Sequence, residues 1–268
     1  MKFLDPAIAD FYNQSNEDTR LQIGLGPLEF TRNKILITKY AAGKKLDVAD
    51  IGGGTGHYSS WLASLGHNVS LVDPVPRHIE KARRKPGRFN CILGDARSLP
   101  FTNSSFDLVI LHGPLYHLQE QEDRLLAIRE ARRILRPGGT VLGFAITHSA
   151  STLAALQTGM IHHPEVFQMC RLELLSGEHN PPEGMNGMLT CAHFHNPAEL
   201  QEEFTRSGFT VNGMHAAEGM AWLDNNFFQS WNDPQRKQTL LDLVELTDQD
   251  QSLFCLSPHL MIAASPVI

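Results

Sequence analysis

Three carboxylates and a cluster of glycines carry the first chemical signal in this chain. Asp50, Asp73 and Asp95 each close a short apolar run, and the first is followed at once by Gly52, Gly53, Gly54 and Gly56. Glycine stabilises strands and helices poorly, so this density at a strand-to-helix corner implies a backbone that passes close to something. A dinucleotide loop would read GxGxxG. Here Gly52, Gly54 and Gly56 make GxGxG, and His57 stands where the last glycine would fall. Asp50 lies two residues before the loop, where a phosphate would be repelled and an ammonium or sulfonium welcomed. An ionised Asp73 can accept two strong hydrogen bonds from a diol.

Alternating elements must position these groups. Strands are expected at 45–51, 67–73, 88–95, 105–113 and 140–147, with helical patterns between them. "EDRLLAIREARRIL" is one such helix, broken by Pro137, Gly138 and Gly139. Strands alternating with helices predict βαβ units and a doubly wound, mostly parallel α/β sheet. In such a sheet, ligands bind beyond the carboxyl ends of the strands where the strand order reverses. The rhythm changes after Thr147. Residues 148–195 read as a cap insertion. Residues 196–268 complete the core with a helix, a strand, a second insertion at about 216–252 and a final strand from His259.

Composition narrows the function. The chain has 268 residues, 42% of them hydrophobic and 19% charged, with a net charge of -6. No basic block extends beyond Arg83, Arg84 and Lys85, whose place at a helix end suits the helix dipole. Nucleic acid is therefore a poor partner. The N-terminus does not read as a signal peptide, and no stretch is apolar enough to span a bilayer. Four scattered cysteines without a CxxC pair fit reduced thiols and a cytoplasmic location.

The ordered set of Asp50, the glycine loop, Asp73, Asp95 and "LRPGG" resembles the class I S-adenosylmethionine-dependent methyltransferases of small-molecule type. "GPLYHL" (113–118) is similar to a bacterial subgroup of that family. The resemblance covers roughly residues 46–147 and 196–215. It implies a Rossmann-like methyltransferase fold, with a mostly parallel seven-stranded sheet, an antiparallel last strand and helical lid insertions. It implies S-adenosylmethionine as cofactor and S-adenosylhomocysteine as product. By the same resemblance Asp73, beside Pro74, holds the ribose hydroxyls, and Asp95 receives the adenine amino group with Ala96 stacked nearby. His112 and Gly113 border the cofactor. Residues 1–45 form an N-terminal helical lid, with Tyr12 on the cofactor side and Arg20 on the acceptor side.

Methyl transfer is an in-line displacement at an activated carbon, so alignment supplies most of the catalysis. The end of strand four should face the methyl group. Tyr116 and His117 are the catalytic candidates, His117 as a base if the acceptor must lose a proton near pH 7. His193 and His195, alternate residues on one face of an extended segment, and Trp222 are candidates for the acceptor pocket. The insertions are expected to enclose it. No acidic cluster matches a metal-dependent methyltransferase, so no metal is expected despite 13 histidines. The leading function is methyl transfer to a small molecule. A peptide or protein methyltransferase and an inactive cofactor-binding regulatory subunit are the alternatives, and a homodimer is compatible with each.

Overall fold

The computed structural model describes residues 17–41, 43–185 and 188–267. Strand β1 (Asp47–Ile51) is buried along almost its whole length, as expected for a parallel strand covered on both faces. Parallel partners flank it, β2 (Asn68–Asp73) on one side and β4 (Phe106–His112) on the other. Strand β3 (Asn90–Leu93) pairs outside β2, and β5 (Leu135–Ile146) outside β4. The seven-stranded order is β3-β2-β1-β4-β5-β9-β8, with β8 at Phe209–Ala216 and β9 at His259–Pro266. Within this sheet β9 alone points opposite to the other described strands, pairing antiparallel with β5 and β8. The chain winds outward from β1 to β3, then returns to the far side of β1. The strand order therefore reverses between β1 and β4, and their carboxyl ends open a crevice there.

Helices cover both faces. On one, α6 (Gln121–Ile134) and α9 (Pro197–Arg206) pack Ala127, Ile128, Ala131, Leu200 and Phe204 onto the sheet. On the other, α2 (Gly26–Ala41) and α3 (His57–Ser64) contribute Leu36, Ile37, Tyr58 and Leu62. This corrects the expected lid. Residues 26–41 form a core layer rather than a cover, because Leu28, Leu36 and Ile37 are wholly buried. Ahead of α2 come the short α1 (Glu17–Arg20) and the turn after it. Tyr12 lies outside the described residues.

The remaining helices are α4 (Pro76–Ala82), α5 (Pro114–His117), α7 (Ala150–Thr158), α8 (Pro164–Ser176), α10 (Phe227–Asn232) and α11 (Pro234–Thr247). The first insertion holds α7, α8 and a two-stranded ribbon of β6 (Glu178–His179) and β7 (Ala192–His193). It has its own apolar cluster around Val166, Met169 and Cys170. The second insertion packs Trp222, Phe227 and Val244 onto Leu28 of α2.

Candidate functional site

A cavity of about 490 Å³ opens at the β1/β4 reversal, within the size range of small-molecule sites. Its walls include the glycine loop, Asp73 to Val75, His78, Asp95 to Arg97, and the segment from His112 to Glu120. Arg20 and Leu21 close it from the N-terminal side. Gly52, Gly53, Gly54, Asp73, Pro74, Asp95, Ala96, His112, Gly113, Tyr116, His117 and Arg20 thus line one cleft.

The loop glycines have different reasons. A Cβ on Gly52 would stand 2.4 Å from the carbonyl oxygen of His112, and one on Gly53 2.7 Å from the Asp50 carboxylate. Gly56, outside the lining, packs against Ala82 and Phe89. These positions serve the protein's own packing. Gly54 differs: at φ +55 its Cβ would meet nothing within 4 Å. The close approach inferred from the glycine cluster is therefore concentrated at this residue.

Each acid is committed in its own way. Asp73 accepts from the Gly54 and Val75 amides at 2.9 Å and lies 3.0 Å from His78 Nδ1. A carboxylate offers about four lone-pair directions, so roughly one remains for a ligand hydroxyl. The expected grip on both hydroxyls of a diol would need one protein donor to yield. Asp95 receives the guanidinium of Arg97 on both oxygens, at 2.6 to 3.1 Å, and Arg97 also reaches Asp123. Asp50 does not line the cleft, contrary to expectation. It is fully buried beneath the loop and accepts a 2.6 Å bond from Ser59 Oγ. Burial pushes its carboxyl up to about 6, against the opposing Ser59 bond.

Beyond the loop the wall is imidazole and phenol. The His112 ring stacks on Phe144 at 4.5 Å and tilts against Tyr58 at 5.0 Å. Its Nε2 lies 3.9 Å from Glu29 Oε1. Burial pushes His112 and His117 down to about 3, so both rings are neutral at pH 7. For His117, expected to titrate near 6.5 as a base, this downward shift makes the ring a weaker base. Burial likewise holds the Tyr58 phenol well above its ordinary value.

The sequence reading missed the charges behind this wall. Glu29, buried in the first turn of α2, receives Arg20 on both oxygens at 2.6 and 3.0 Å. Burial alone would raise its pKa, but Arg20, then His259, hold it at about 2. His259, at the start of β9, lies 2.7 Å from Glu218. Burial opposes its charge, yet Glu218 and Glu29 raise it to about 8. In sequence, 189 residues separate Glu29 from Glu218. The only local signal for His78 was its position five residues after Asp73.

Other expected pocket residues lie elsewhere. His193 and His195 are absent from the cleft wall. His193 pairs with Glu199 at 2.9 Å and His195 with Glu203 at 3.2 Å. Arg124 binds both acids, at 3.3 and 2.8 Å, and donates to the Leu118 and Gln119 carbonyls. Alternate spacing did bring the two imidazoles together, but burial of charged neighbours assigned them to this network. Trp222 is buried with its indole N–H on the Leu256 carbonyl. Among the described residues, none from either insertion lines the cleft.

Residues 49–143 match a family model described as a methyltransferase domain. A 2-methyl-6-phytyl-1,4-hydroquinone methyltransferase of Oryza sativa subsp. japonica is 34% identical over 109 residues, 39% of this chain and 30% of that protein. A malonyl-[acyl-carrier protein] O-methyltransferase of Erwinia pyrifoliae is 33% identical over 139 residues, 52% of this chain and 48% of that protein. The matched region thus spans less than half the length of these curated relatives. The fold is shared with a SAM-dependent methyltransferase from Methanosarcina mazei, at TM-score 0.59 and 20% identity over 87% of this chain and 97% of that one. It is shared too with an S-adenosylmethionine-dependent methyltransferase from Mesorhizobium loti, at TM-score 0.57 and 16% identity over 91% and 99%.

Proposed function

We propose that this protein transfers a methyl group from S-adenosylmethionine to a small-molecule acceptor. The observation that carries the reading is the joint position of Gly54, Asp73 and Asp95 at the ends of successive strands around one cleft. The residues fit the cofactor. Gly54 leaves open space where any larger side chain would intrude. Asp73 and Asp95 present carboxylates on the wall, and Thr55 Oγ1 is buried there without a hydrogen-bond partner among the described residues. In this reading Asp73 holds the ribose, and Asp95 and Ala96 flank the adenine. The matched methyltransferase domain supports it.

When bound, S-adenosylmethionine supplies a methyl carbon already activated by a sulfonium. The chain's contribution is then placement. The glycine loop fixes one end of the ligand, and Tyr58, His112, Tyr116 and His117 shape the space for the acceptor. Fixing two reactants in line removes most of the entropic barrier. His117, held neutral, contributes shape and a hydrogen bond rather than a titrating base. Residues 17–25 cover the entrance as a lid, through Arg20 and Leu21.

Calorimetric titration with S-adenosylmethionine and S-adenosylhomocysteine tests the reading. Wild type should bind both. Asp73→Ala should lose one charge-assisted bond, about 1.5–3 kcal/mol, a roughly 10- to 150-fold rise in Kd. Equal affinities in the two proteins would refute the cofactor assignment.

A further inference from the structure

The wall that carries Tyr116 and His117 is α5 and the residues after it, and Leu118, Gln119 and Glu120 also line the cleft. A four-residue helix has little stability of its own. Its backbone bonds run from the amides of Tyr116, His117 and Leu118 to the Gly113 and Pro114 carbonyls. Just beyond it, two carbonyls go to one side chain. Arg124 Nη1 donates to the Gln119 oxygen at 2.6 Å and to the Leu118 oxygen at 3.2 Å. Arg124 is the fourth residue of α6, near an end where the helix dipole disfavours a cation. Its side chain is only 2% exposed, where a charge costs most. The helix alone does not account for an arginine at this position.

The rest of the guanidinium faces the first insertion. Nε and Nη2 meet Glu203 Oε1 at 2.9 and 2.8 Å, and Nη2 meets Glu199 Oε1 at 3.3 Å. Beyond these acids stand His193 of β7 and His195, 2.9 and 3.2 Å from them. The His195 amide donates to the Ile146 carbonyl at the end of β5, and α5 packs against β7. A planar fork of five donors can hold carbonyls on one edge and carboxylates on the other, a geometry an ammonium does not match.

We propose that Arg124 is a positioning residue that fixes the cleft wall from Tyr116 to Gln119, and that the first insertion acts on the cleft through it. Arg124 is not among the described lining residues, so it works through the backbone it holds. The insertion likewise sends no described residue into the cleft, yet its ribbon braces the acids that grip Arg124. The inference rests on the methyl-transfer reading, which gives this wall its task of shaping the acceptor space. In an in-line transfer, a misplacement of about 1 Å far from the chemistry can cost about a hundredfold in rate. A rigid anchor behind a four-residue helix guards against that.

Hydrogen–deuterium exchange on the folded full chain tests this, with the amides of residues 116–118 read against those of β1 and β4. Arg124→Lys keeps the charge and loses the fork. It should speed exchange at 116–118 by at least about tenfold, while β1 and β4 keep their wild-type rates. Glu199→Ala cuts the link to His193 and leaves Arg124 on Glu203. It should speed the same amides by about two- to fivefold. If Arg124→Lys does not fold, Glu199→Ala carries the test. Acceleration spread evenly over the wall and the strands would show a merely structural role and overturn the proposal. Wild-type exchange at 116–118 in either folded variant would overturn it too. Calorimetry keeps the two readings apart. S-adenosylhomocysteine should bind both folded variants within about twofold of wild type, because the glycine loop and Asp73 are untouched. Failure of wild type to bind it would overturn the methyl-transfer reading, while the exchange rates would still decide what Arg124 holds.

Discussion

Asp50 offers a measurement that isolates one group. It is wholly buried beneath the glycine loop, accepts a short bond from Ser59 Oγ and has Asp73 as a charged neighbour. Burial raises its carboxyl from the ordinary 3.8 to about 6. For an acid raised in this way, the native state favours the protonated form. Its contribution to stability is fully present below the unfolded value and is lost as pH rises through about 6. The difference between 3.8 and about 6, at about 1.4 kcal/mol per pH unit, amounts to roughly 3 kcal/mol at full ionisation. Asp50→Asn keeps the shape and removes the titration. Any fixed gain or loss from the new amide is the same at each pH, and every other titrating group is common to both proteins. The stability of Asp50→Asn minus that of wild type should therefore rise by roughly 2–3 kcal/mol between pH 4 and pH 8. Urea unfolding followed by far-UV circular dichroism at several pH values reads this directly. A difference that stays flat, or falls with pH, would show that Asp50 is ionised in the native protein without penalty.

Gly54→Val should fold, because a Cβ there meets nothing within 4 Å, at a cost of about 1–2 kcal/mol for the left-handed backbone. It should also lose S-adenosylhomocysteine binding by calorimetry, and normal affinity would refute the close approach at this residue. Arg124→Met strips a buried cation from Glu199 and Glu203 and should destabilise the fold by about 3–5 kcal/mol. A loss under about 1 kcal/mol in chemical unfolding would mean that the network is solvated. The His117 ring should remain neutral from pH 5 to pH 8 when followed by nitrogen-detected NMR, since burial pushes it down to about 3. A protonation near the ordinary histidine value would refute that.

The parallel core was legible because local patterns and tertiary roles agree there. Val48 to Ile51 read as a buried strand, and Asp50, Asp73 and Asp95 sit at or just beyond the ends of β1, β2 and β3. The glycine loop was equally plain, although only Gly54 has open space beside it. Agreement fails where a side chain's role depends on a partner far away in sequence. His193 and His195 have the spacing of lining residues, but Glu199, Glu203 and Arg124 claim them. Glu29 and Arg20 are nine residues apart and could be guessed as a pair. Glu218 and His259 join them only because β9 enters the sheet beside β5. Burial of a charge is decided by that assembly, and no local pattern records it.

Every described residue lining the cleft falls between positions 20 and 123, whereas β9 begins at 259. A ribosome making this chain therefore releases these lining residues long before the strand that completes the sheet. Until then β5 has an open edge, because its only partner beyond β4 is β9. An unpaired strand edge is a template for other chains. The nascent protein thus passes through a stage in which the residues lining the cleft are present and the β5 edge is bare. A molecule that engages the glycine loop at that stage would act on the growing chain as well as on the finished one.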